Sequence, residues 1–223
     1  MPAATPRIVF FDIGGVMYDD SIYARSWARA LRESGASFSD ESFEAEYAAA
    51  RAEQAGSFRR RLTRRFLGDD GDLDAVEARA ARYWAYPPTA LYPDVVPCLE
   101  ALRGRYRLGI IANQPTSVRT AMERDGLSPY FEVWGVSDDL GISKPDPGLF
   151  VHVLATAEVA AHEAVMLGDR LDYDVRPAKA AGMRAVWVLR GEAPDEPTAD
   201  QLAEADASVR ALNEVPSVLE VWA

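Results

Sequence analysis

The sequence predicts an α/β fold in which helices cover both faces of a parallel sheet. Short apolar runs rich in β-branched and aromatic residues alternate with helical patterns along most of the chain, and this alternation is typical of parallel sheets. A strandless insert of about ninety residues follows the first run, which is more than a single crossover helix needs. Polar residues directly follow several runs, and open parallel sheets bind ligands at that end of their strands.

Five strands are predicted from these apolar runs. They cover residues 7–13, 107–112, 131–136, 164–168 and 184–189. None shows strict polar alternation, as expected for strands that are buried on both faces. The segment 191–200, GEAPDEPTAD, is predicted to be a surface connection.

The insert is predicted to form a helical subdomain of four helices. Apolar residues recur at helical spacing in three stripes, and Asp72 is a predicted N-cap for a fourth helix. The stripes and the fourth helix comprise Tyr23, Trp27 and Leu31; Phe43 and Tyr47; Phe58, Leu62 and Phe66; and Val76, Ala80, Tyr83 and Trp84.

Five arginines surround the third stripe, at Arg59, Arg60, Arg61, Arg64 and Arg65. They are interpreted as a solvated helix face that balances an acidic protein. The alternative is that one or two of them reach an anionic substrate.

Composition limits the partners of the protein. The 223 residues include 24 Lys+Arg and 35 Asp+Glu, and the resulting charge of −11 opposes binding to nucleic acid or anionic membranes. No apolar segment approaches the roughly 20 residues that span a bilayer, and no export signal is visible. A single cysteine, Cys98, excludes an internal disulfide and fits a reducing compartment. A cytoplasmic protein is therefore expected, and its oligomeric state is left open between a monomer and a homodimer.

The residues that follow the strands predict a metal site. Asp12 lies at the end of the first predicted strand, Asp169 and Asp174 follow the fourth, and Lys144 precedes Pro145 at the same end of the sheet. Three carboxylates in one crevice repel one another unless a cation is present, and oxygen ligands suit Mg²⁺. Asp12 is then placed to attack a phosphorus atom while Lys144 neutralises charge. The alternative is that these aspartates only cap helices.

Four segments in order, FFDIGGV, GIIANQ, SKPDPGLF and VMLGDRLDYDVRPAKAAGM, resemble the motifs of the haloacid dehalogenase-like (HAD) superfamily of hydrolases. The resemblance extends from residue 7 to about residue 189. It implies a Rossmann-like, three-layer α/β/α core over residues 1–17 and 90–223, with an inserted α-helical cap over residues 18–89. It also implies Mg²⁺-dependent phosphoryl transfer through an aspartyl-phosphate.

The same resemblance assigns roles to individual residues. Asp12 would be the nucleophile and Lys144 the motif lysine, with Asp172 as an outer neighbour. The metal would be bound by Asp12, the backbone carbonyl of Gly14, Asp169 and Asp174. The phosphate would contact Gly14, Gly15, Ala112, Asn113 and Lys144.

Two positions depart from the family pattern. Phosphatases of the family usually carry a general acid–base Asp where this chain has Gly14, and a Ser or Thr where it has Ala112. General acid–base catalysis contributes about 10²–10⁴ in rate, and alanine has no hydroxyl to donate to phosphate. Asp19 or Asp20 is an alternative source of the acid, although acidic residues in such turns are usually solvated.

Three functional hypotheses follow. The favoured one is a phosphatase that acts on a small phosphorylated metabolite. The second is a catalytically weakened scaffold that retains the fold and binds Mg²⁺ or a phosphorylated ligand. The third is a 2-haloacid dehalogenase, in which Asp12 attacks carbon; the resemblance implies no metal for that chemistry, whereas this chain keeps an acid cluster of the metal-binding type.

Overall fold

The computed structural model describes residues 5–83 and 85–223 and contains a six-stranded parallel sheet. The strands are β1 (Ile8–Phe11), β2 (Arg107–Ala112), β3 (Val133–Val136), β4 (Ala164–Gly168), β5 (Arg184–Val188) and β6 (Ala207–Val209). Their spatial order is β3-β2-β1-β4-β5-β6, and every neighbouring pair is parallel. This is the doubly wound order, in which the direction of winding reverses between β1 and β4.

Four helices lie between β1 and β2 in the chain: α1 (Ser21–Glu33), α2 (Asp40–Glu53), α3 (Phe58–Leu67) and α4 (Leu73–Ala80). The remaining helices are α5 (Val95–Leu102), α6 (Val118–Arg124), α7 (Ser137–Leu140), α8 (Pro147–Ala157), α9 (Arg176–Ala180), α10 (Ala199–Glu204) and α11 (Val215–Val221). Among the described residues, none of these helices is long and apolar enough to cross a membrane.

Both faces of the sheet are covered by helices. In β1, Val9 and Phe11 belong to a buried cluster that includes residues of α5, α6 and α11, whereas Ile8 and Phe10 belong to another that includes residues of α8 and α9. Successive residues of a strand point to opposite faces, so each strand contributes to two cores. The predicted α/β fold with a parallel, Rossmann-like sheet is confirmed.

Helices α1 to α4 have a hydrophobic cluster of their own. Trp27, Leu31, Phe43, Leu62 and Val76 are buried in it, as the helical stripes predict. Helix α4 ends at Ala80, whereas the prediction extended it through Tyr83. The chain tightens after Ala80 into hydrogen bonds between residues three apart, such as the 2.9 Å bond from Tyr83 N to Ala80 O. The predicted helical residue Trp84 lies outside the described residues.

Several predicted bounds and elements differ from the structure. The predicted strand 131–136 begins only at Val133, and the predicted strand 184–189 ends at Val188. The first strand ends at Phe11, so Asp12 and Ile13 already belong to the turn that follows it. Strand β6 was not predicted, because it has three residues and only Val209 is buried. The segment 191–200 contains the start of α10, whose N-cap Thr198 accepts a hydrogen bond from Gln201 N at 3.2 Å.

Candidate active site

The predicted acids meet where the sheet reverses its winding. Asp12 follows β1 and Asp169 follows β4, and these two strands are neighbours in the sheet. A 2.8 Å hydrogen bond from Asp12 N to Leu167 O carries the pairing of the two strands one residue beyond β1. Ligands of doubly wound sheets bind in the crevice at this point.

Lys144 lies between two carboxylates in this crevice. Its Nζ is 2.9 Å from Asp12 Oδ1 and 2.5 Å from Asp174 Oδ1. The side chains of Lys144 and Asp174 are 2% and 1% exposed, whereas that of Asp12 is 13% exposed. The lysine is therefore a buried counter-ion, and Asp12 is the member of this trio that solvent or a ligand can reach.

Asn113 positions Lys144 through its backbone. The Asn113 side chain accepts a hydrogen bond from Lys144 N at 2.7 Å and donates one to Lys144 O at 2.9 Å. An amide nitrogen carries two hydrogens, so one N–H of Asn113 is not used by this contact. The predicted contact of Asn113 with phosphate stays a prediction.

Backbone N–H groups anchor the two acids that follow β4. Asp174 Oδ2 accepts from Arg170 N at 3.0 Å, and Asp169 Oδ2 accepts from Glu192 N at 2.6 Å. Asp174 lies in a π-helical turn, Leu171–Val175, a geometry that often occurs at functional sites. Asp172, the predicted outer neighbour, forms two hydrogen bonds with the Arg170 guanidinium, at 2.7 and 2.9 Å.

Gly15 makes room for Asp169. It has φ +68°, and a Cβ at this position would lie 1.9 Å from Asp169 Oδ2, so a larger residue would displace the carboxylate. Its N–H donates to Tyr18 O at 2.8 Å. That donor is therefore engaged, and the structure favours a role in packing for Gly15. Ala112 is fully buried at the end of β2, and the phosphate contacts predicted for both residues stay predictions.

Burial and mutual repulsion dominate the electrostatics of the site. Burial raises the pKa of Asp12 to about 7; Lys144 lowers it and Asp174 adds to the increase. Burial, together with Asp174 and Asp12, holds the pKa of Asp169 well above its usual value. Burial alone would lower the pKa of Lys144, but the adjacent Asp12 and Asp174 outweigh that effect and raise it.

The donor set fits Mg²⁺. Oxygen atoms of Asp12, Asp169 and Asp174 all lie within 4.8 Å of one another. Oxygens on opposite sides of an octahedral Mg²⁺ are separated by roughly 4 Å, twice the usual metal–oxygen distance. Lys144 supplies one positive charge to this cluster of three acids, which leaves negative charge for a cation to offset.

A cavity of about 660 Å³ opens onto these acids. The core contributes Asp12, Gly14, Asn113, Lys144, Asp169 and Asp174 to its lining, and the inserted helices contribute Tyr23, Phe58, Arg59 and Glu77. Its volume lies within the range of small-molecule sites. The predicted metal ligands and the inserted helices therefore face the same space.

The arginines of α3 are mostly paired with acids. Arg61 contacts Glu46 and Glu53, Arg65 contacts Glu46, and Arg64 contacts Asp69. Arg59 differs, because it lines the cavity while pairing with Glu77 at 2.5 Å.

Glu192 is a cavity residue that the sequence analysis missed. It lines the cavity, pairs with Arg170 at 2.9 Å, and its N–H binds Asp169. The signal that could have found it is its position just beyond β5, at the same edge of the sheet as Asp12 and Asp169.

Asp19 and Asp20 occupy different environments. Asp19 Oδ1 accepts from Ser21 N at 2.9 Å and its Oδ2 accepts from Ser21 Oγ at 2.7 Å, at the start of α1. Asp20 lines the cavity instead, and its side chain makes no capping bond to α1.

Curated relatives of the chain include phosphatases. The chain is 39% identical over 152 residues to a phosphoserine phosphatase of Thermus thermophilus, a match that covers 65% of this chain and 60% of that protein. It is 32% identical over 209 residues to a glyceraldehyde 3-phosphate phosphatase of Methanopyrus kandleri, covering 87% of this chain and 89% of that protein.

A solved structure has the same fold over nearly its full length. The 2-haloacid dehalogenase of Pseudomonas syringae pv. Tomato DC3000 is 29% identical, with a TM-score of 0.63 over 98% of this chain and 100% of that one. A sequence model of haloacid dehalogenase-like hydrolases matches residues 6–182. The acids at the switch between β1 and β4 and these similarities lead to one conclusion: the chain belongs to the haloacid dehalogenase-like hydrolases.

Proposed function

We propose that this protein is a Mg²⁺-dependent phosphatase that hydrolyses small phosphate monoesters through an aspartyl-phosphate on Asp12. One observation carries the proposal: the carboxylates of Asp12, Asp169 and Asp174 converge within 4.8 Å, and Lys144 contacts two of them. The names of the two phosphatase relatives support the same reaction class.

The metal ligands in this proposal are Asp12, Asp169, Asp174 and the backbone carbonyl of Gly14. A bound Mg²⁺ would offset the negative charge that the carboxylates and a phosphate group bring together. Gly15 keeps the space that the Asp169 carboxylate needs.

Lys144 orients the nucleophile. Its contact with Asp12 Oδ1 at 2.9 Å fixes the carboxylate and stabilises its ionised form. In the first step an Asp12 oxygen forms a bond to phosphorus, and the bond from phosphorus to the leaving oxygen breaks. In the second step water attacks the same phosphorus and the carboxylate of Asp12 is regenerated.

Phosphate binding in this proposal relies on Lys144, on the side-chain amide of Asn113 and on backbone N–H groups near Gly14 and Ala112. Gly15 contributes by packing, since its own N–H donates to Tyr18 O. Because Ala112 supplies no hydroxyl, we expect weaker phosphate affinity than in a relative with Ser or Thr there. A higher KM is the expected consequence.

We propose that residues 18–89 act as a cap over the core formed by residues 1–17 and 90–223. The inserted helices line the cavity opposite the acids with Tyr23, Phe58 and Arg59. Such a cover excludes water from the reacting phosphate and selects substrates by size and charge. The cavity volume of about 660 Å³ suits a small metabolite.

The test is a hydrolysis screen with p-nitrophenyl phosphate and a panel of phosphorylated metabolites, run with Mg²⁺ and with a chelator. We expect Mg²⁺-dependent release of phosphate, and its loss in Asp12→Asn because an amide is a poor nucleophile. Asp138→Asn is the matched control, since Asp138 is an exposed acid that lines the same cavity. Hydrolysis by purified Asp12→Asn at the wild-type rate would exclude the covalent route.

The second candidate function is dehalogenation, which the full-length similarity to the 2-haloacid dehalogenase favours. Release of halide from a 2-haloacid without added metal, with no phosphate release from any ester, would support it. Inactivity towards both substrate classes would support the weakened scaffold.

A further inference from the structure

The carboxylate of Asp20 occupies the space that a side chain at position 14 would take. A Cβ built on Gly14 would lie 2.6 Å from Asp20 Oδ2 and 2.7 Å from Asp20 Oδ1. Both distances are too short for a real contact, so Gly14 and the present position of Asp20 depend on each other. The oxygens of Asp20 therefore lie about as far from this Cβ position as the carboxylate oxygens of an Asp lie from their own Cβ.

Contacts outside its own helix hold Asp20 in place. Tyr86 Oη donates to Asp20 Oδ1 at 3.2 Å, and Gln114 Nε2 donates to Tyr86 Oη at 3.1 Å. The Tyr86 ring is stacked on Tyr18 at 4.5 Å between centroids. Asp19 supplies the capping bonds to α1, which leaves the side chain of Asp20 directed to the cavity.

Asp20 differs from the other acids that line the cavity. Asp12 and Asp174 share Lys144, while Glu77 pairs with Arg59 and Glu192 with Arg170. Asp138 is exposed to solvent, and Asp169 belongs to the proposed metal site. The Asp20 side chain is hydrogen-bonded to the neutral phenol of Tyr86. Among the described residues it forms no ion pair, so this carboxyl group is not committed to an adjacent cation.

We propose that Asp20 is the general acid–base residue of this enzyme, supplying from outside the usual motif the group that Gly14 lacks. As the bond from phosphorus to the leaving oxygen breaks, its electron pair goes to that oxygen and the Asp20 carboxyl group donates a proton to it. The Asp20 carboxylate then accepts a proton from the water that attacks the phosphorus of the aspartyl-phosphate. The electron pair of the breaking bond returns to Asp12, phosphate is released, and Asp20 is again protonated.

This inference rests on the proposed phosphatase function, and Asp20→Asn tests it because the substitution preserves shape. We expect kcat/KM for an alkyl phosphate to fall by about 10²–10⁴. For p-nitrophenyl phosphate, whose leaving group needs little protonation, we expect a fall of less than about tenfold. Hydrolysis of the aspartyl-phosphate also slows, so p-nitrophenol should appear in a burst equal to the enzyme concentration. Asp19→Asn is the matched neighbour and should show neither effect.

A transfer of the carboxylate provides a second test. Gly14 has no positive φ, so an Asp there is compatible with the backbone once Asp20 is shortened. We expect Gly14→Asp alone to lose activity by collision with Asp20, and Gly14→Asp with Asp20→Ala to exceed Asp20→Ala at least tenfold on the alkyl phosphate. Circular dichroism and thermal melting establish which variants are folded.

If Asp20→Asn lowers kcat/KM equally for both esters, or for neither, the inference is wrong. The proposed phosphatase function would still stand in that case, provided that the wild type hydrolyses phosphate esters. Absence of wild-type hydrolysis of every phosphate ester would instead overturn the proposed function, and this inference with it.

Discussion

The Asp12 carboxylate is largely buried, so its negative charge destabilises the folded protein when no metal is bound. Its pKa is raised from 3.8 to about 7, mainly by burial. The folded state therefore binds more protons than the unfolded state between about pH 4 and pH 7, and its stability falls as pH rises through that range. Acidic residues whose pKa is raised in this way often occur at catalytic centres.

The first prediction concerns Asp12→Asn in the presence of a chelator. At pH 8 the substitution removes an unfavourable charge, and we expect stabilisation of roughly 1–4 kcal/mol, equivalent to about 2–4 °C in Tm per kcal/mol. The difference from wild type should disappear near pH 4, where the carboxyl group is protonated. Thermal melts across this range, with the exposed Asp70→Asn as control, measure it. A lower Tm for Asp12→Asn at pH 8 would contradict this explanation.

Sequence reasoning at the scale of residues found the group around Lys144 but not the place of Asp20. Asp12, Asp169 and Asp174 could be predicted because each follows a buried strand, and parallel strands bring such positions to one edge. The position of Asp20 depends on the missing side chain of Gly14 and on Tyr86, 66 positions later in the chain. Neither dependence is visible in a local pattern.

At the scale of elements, one buried glutamine connects the inserted helices to the core through hydrogen bonds. Gln54, at the end of α2, is 1% exposed. Its Nε2 donates to Glu192 O and its Oε1 accepts from Leu171 N, both at 2.8 Å. The connections that follow β4 and β5, which carry Asp169 and Glu192, are thereby tied to α2.

The second prediction is that Gln54→Asn destabilises the protein by about 1–3 kcal/mol, because the shorter amide leaves buried donors and acceptors unpaired. Asparagine tolerates the left-handed backbone that Gln54 adopts, so strain adds little. We also expect a higher KM, since the two connections border the cavity. Gln201→Asn is the control, because Gln201 contacts Ala52 O of α2 at a more exposed position. Identical melting curves for Gln54→Asn and wild type would refute the prediction.

Strands were predictable to different degrees for physical reasons. The runs that became β2 and β4 were predicted with their observed bounds, because β4 is apolar throughout and β2 is apolar after its first residue, Arg107. Strand β6 is short and partly exposed at the edge of the sheet, so tertiary pairing with β5 defines it and the hydrophobic pattern does not.

At the scale of the whole molecule, the charge of −11 means that added Mg²⁺ acts both by general screening and by binding at the acid cluster. The third prediction distinguishes screening of charge from binding of Mg²⁺ at the acid cluster. We expect Mg²⁺ to raise Tm beyond the effect of NaCl at equal ionic strength, since a ligand of the folded state stabilises it by mass action. Asp169→Asn should lose this extra shift and Asp138→Asn should keep it. An equal Mg²⁺ shift in Asp169→Asn would exclude the proposed metal site.

The general architecture was predictable because it depends on composition and period. Alternating apolar runs and helical stripes indicate a parallel sheet with a helical insertion wherever they occur. The way the insertion lies over the crevice depends on side chains that are distant in sequence, such as Gln54 and Arg170, and could not be predicted from either segment alone.

The most direct test of the central claim is to trap the phosphorylated residue during turnover of p-nitrophenyl phosphate with Mg²⁺. Rapid acid quenching followed by borohydride reduction converts an aspartyl-phosphate into homoserine, which mass spectrometry locates in the sequence. The proposal predicts homoserine at position 12 in the wild type and no turnover in Asp12→Asn. An unmodified Asp12 at every quench time, together with sustained hydrolysis by Asp12→Asn, would contradict it.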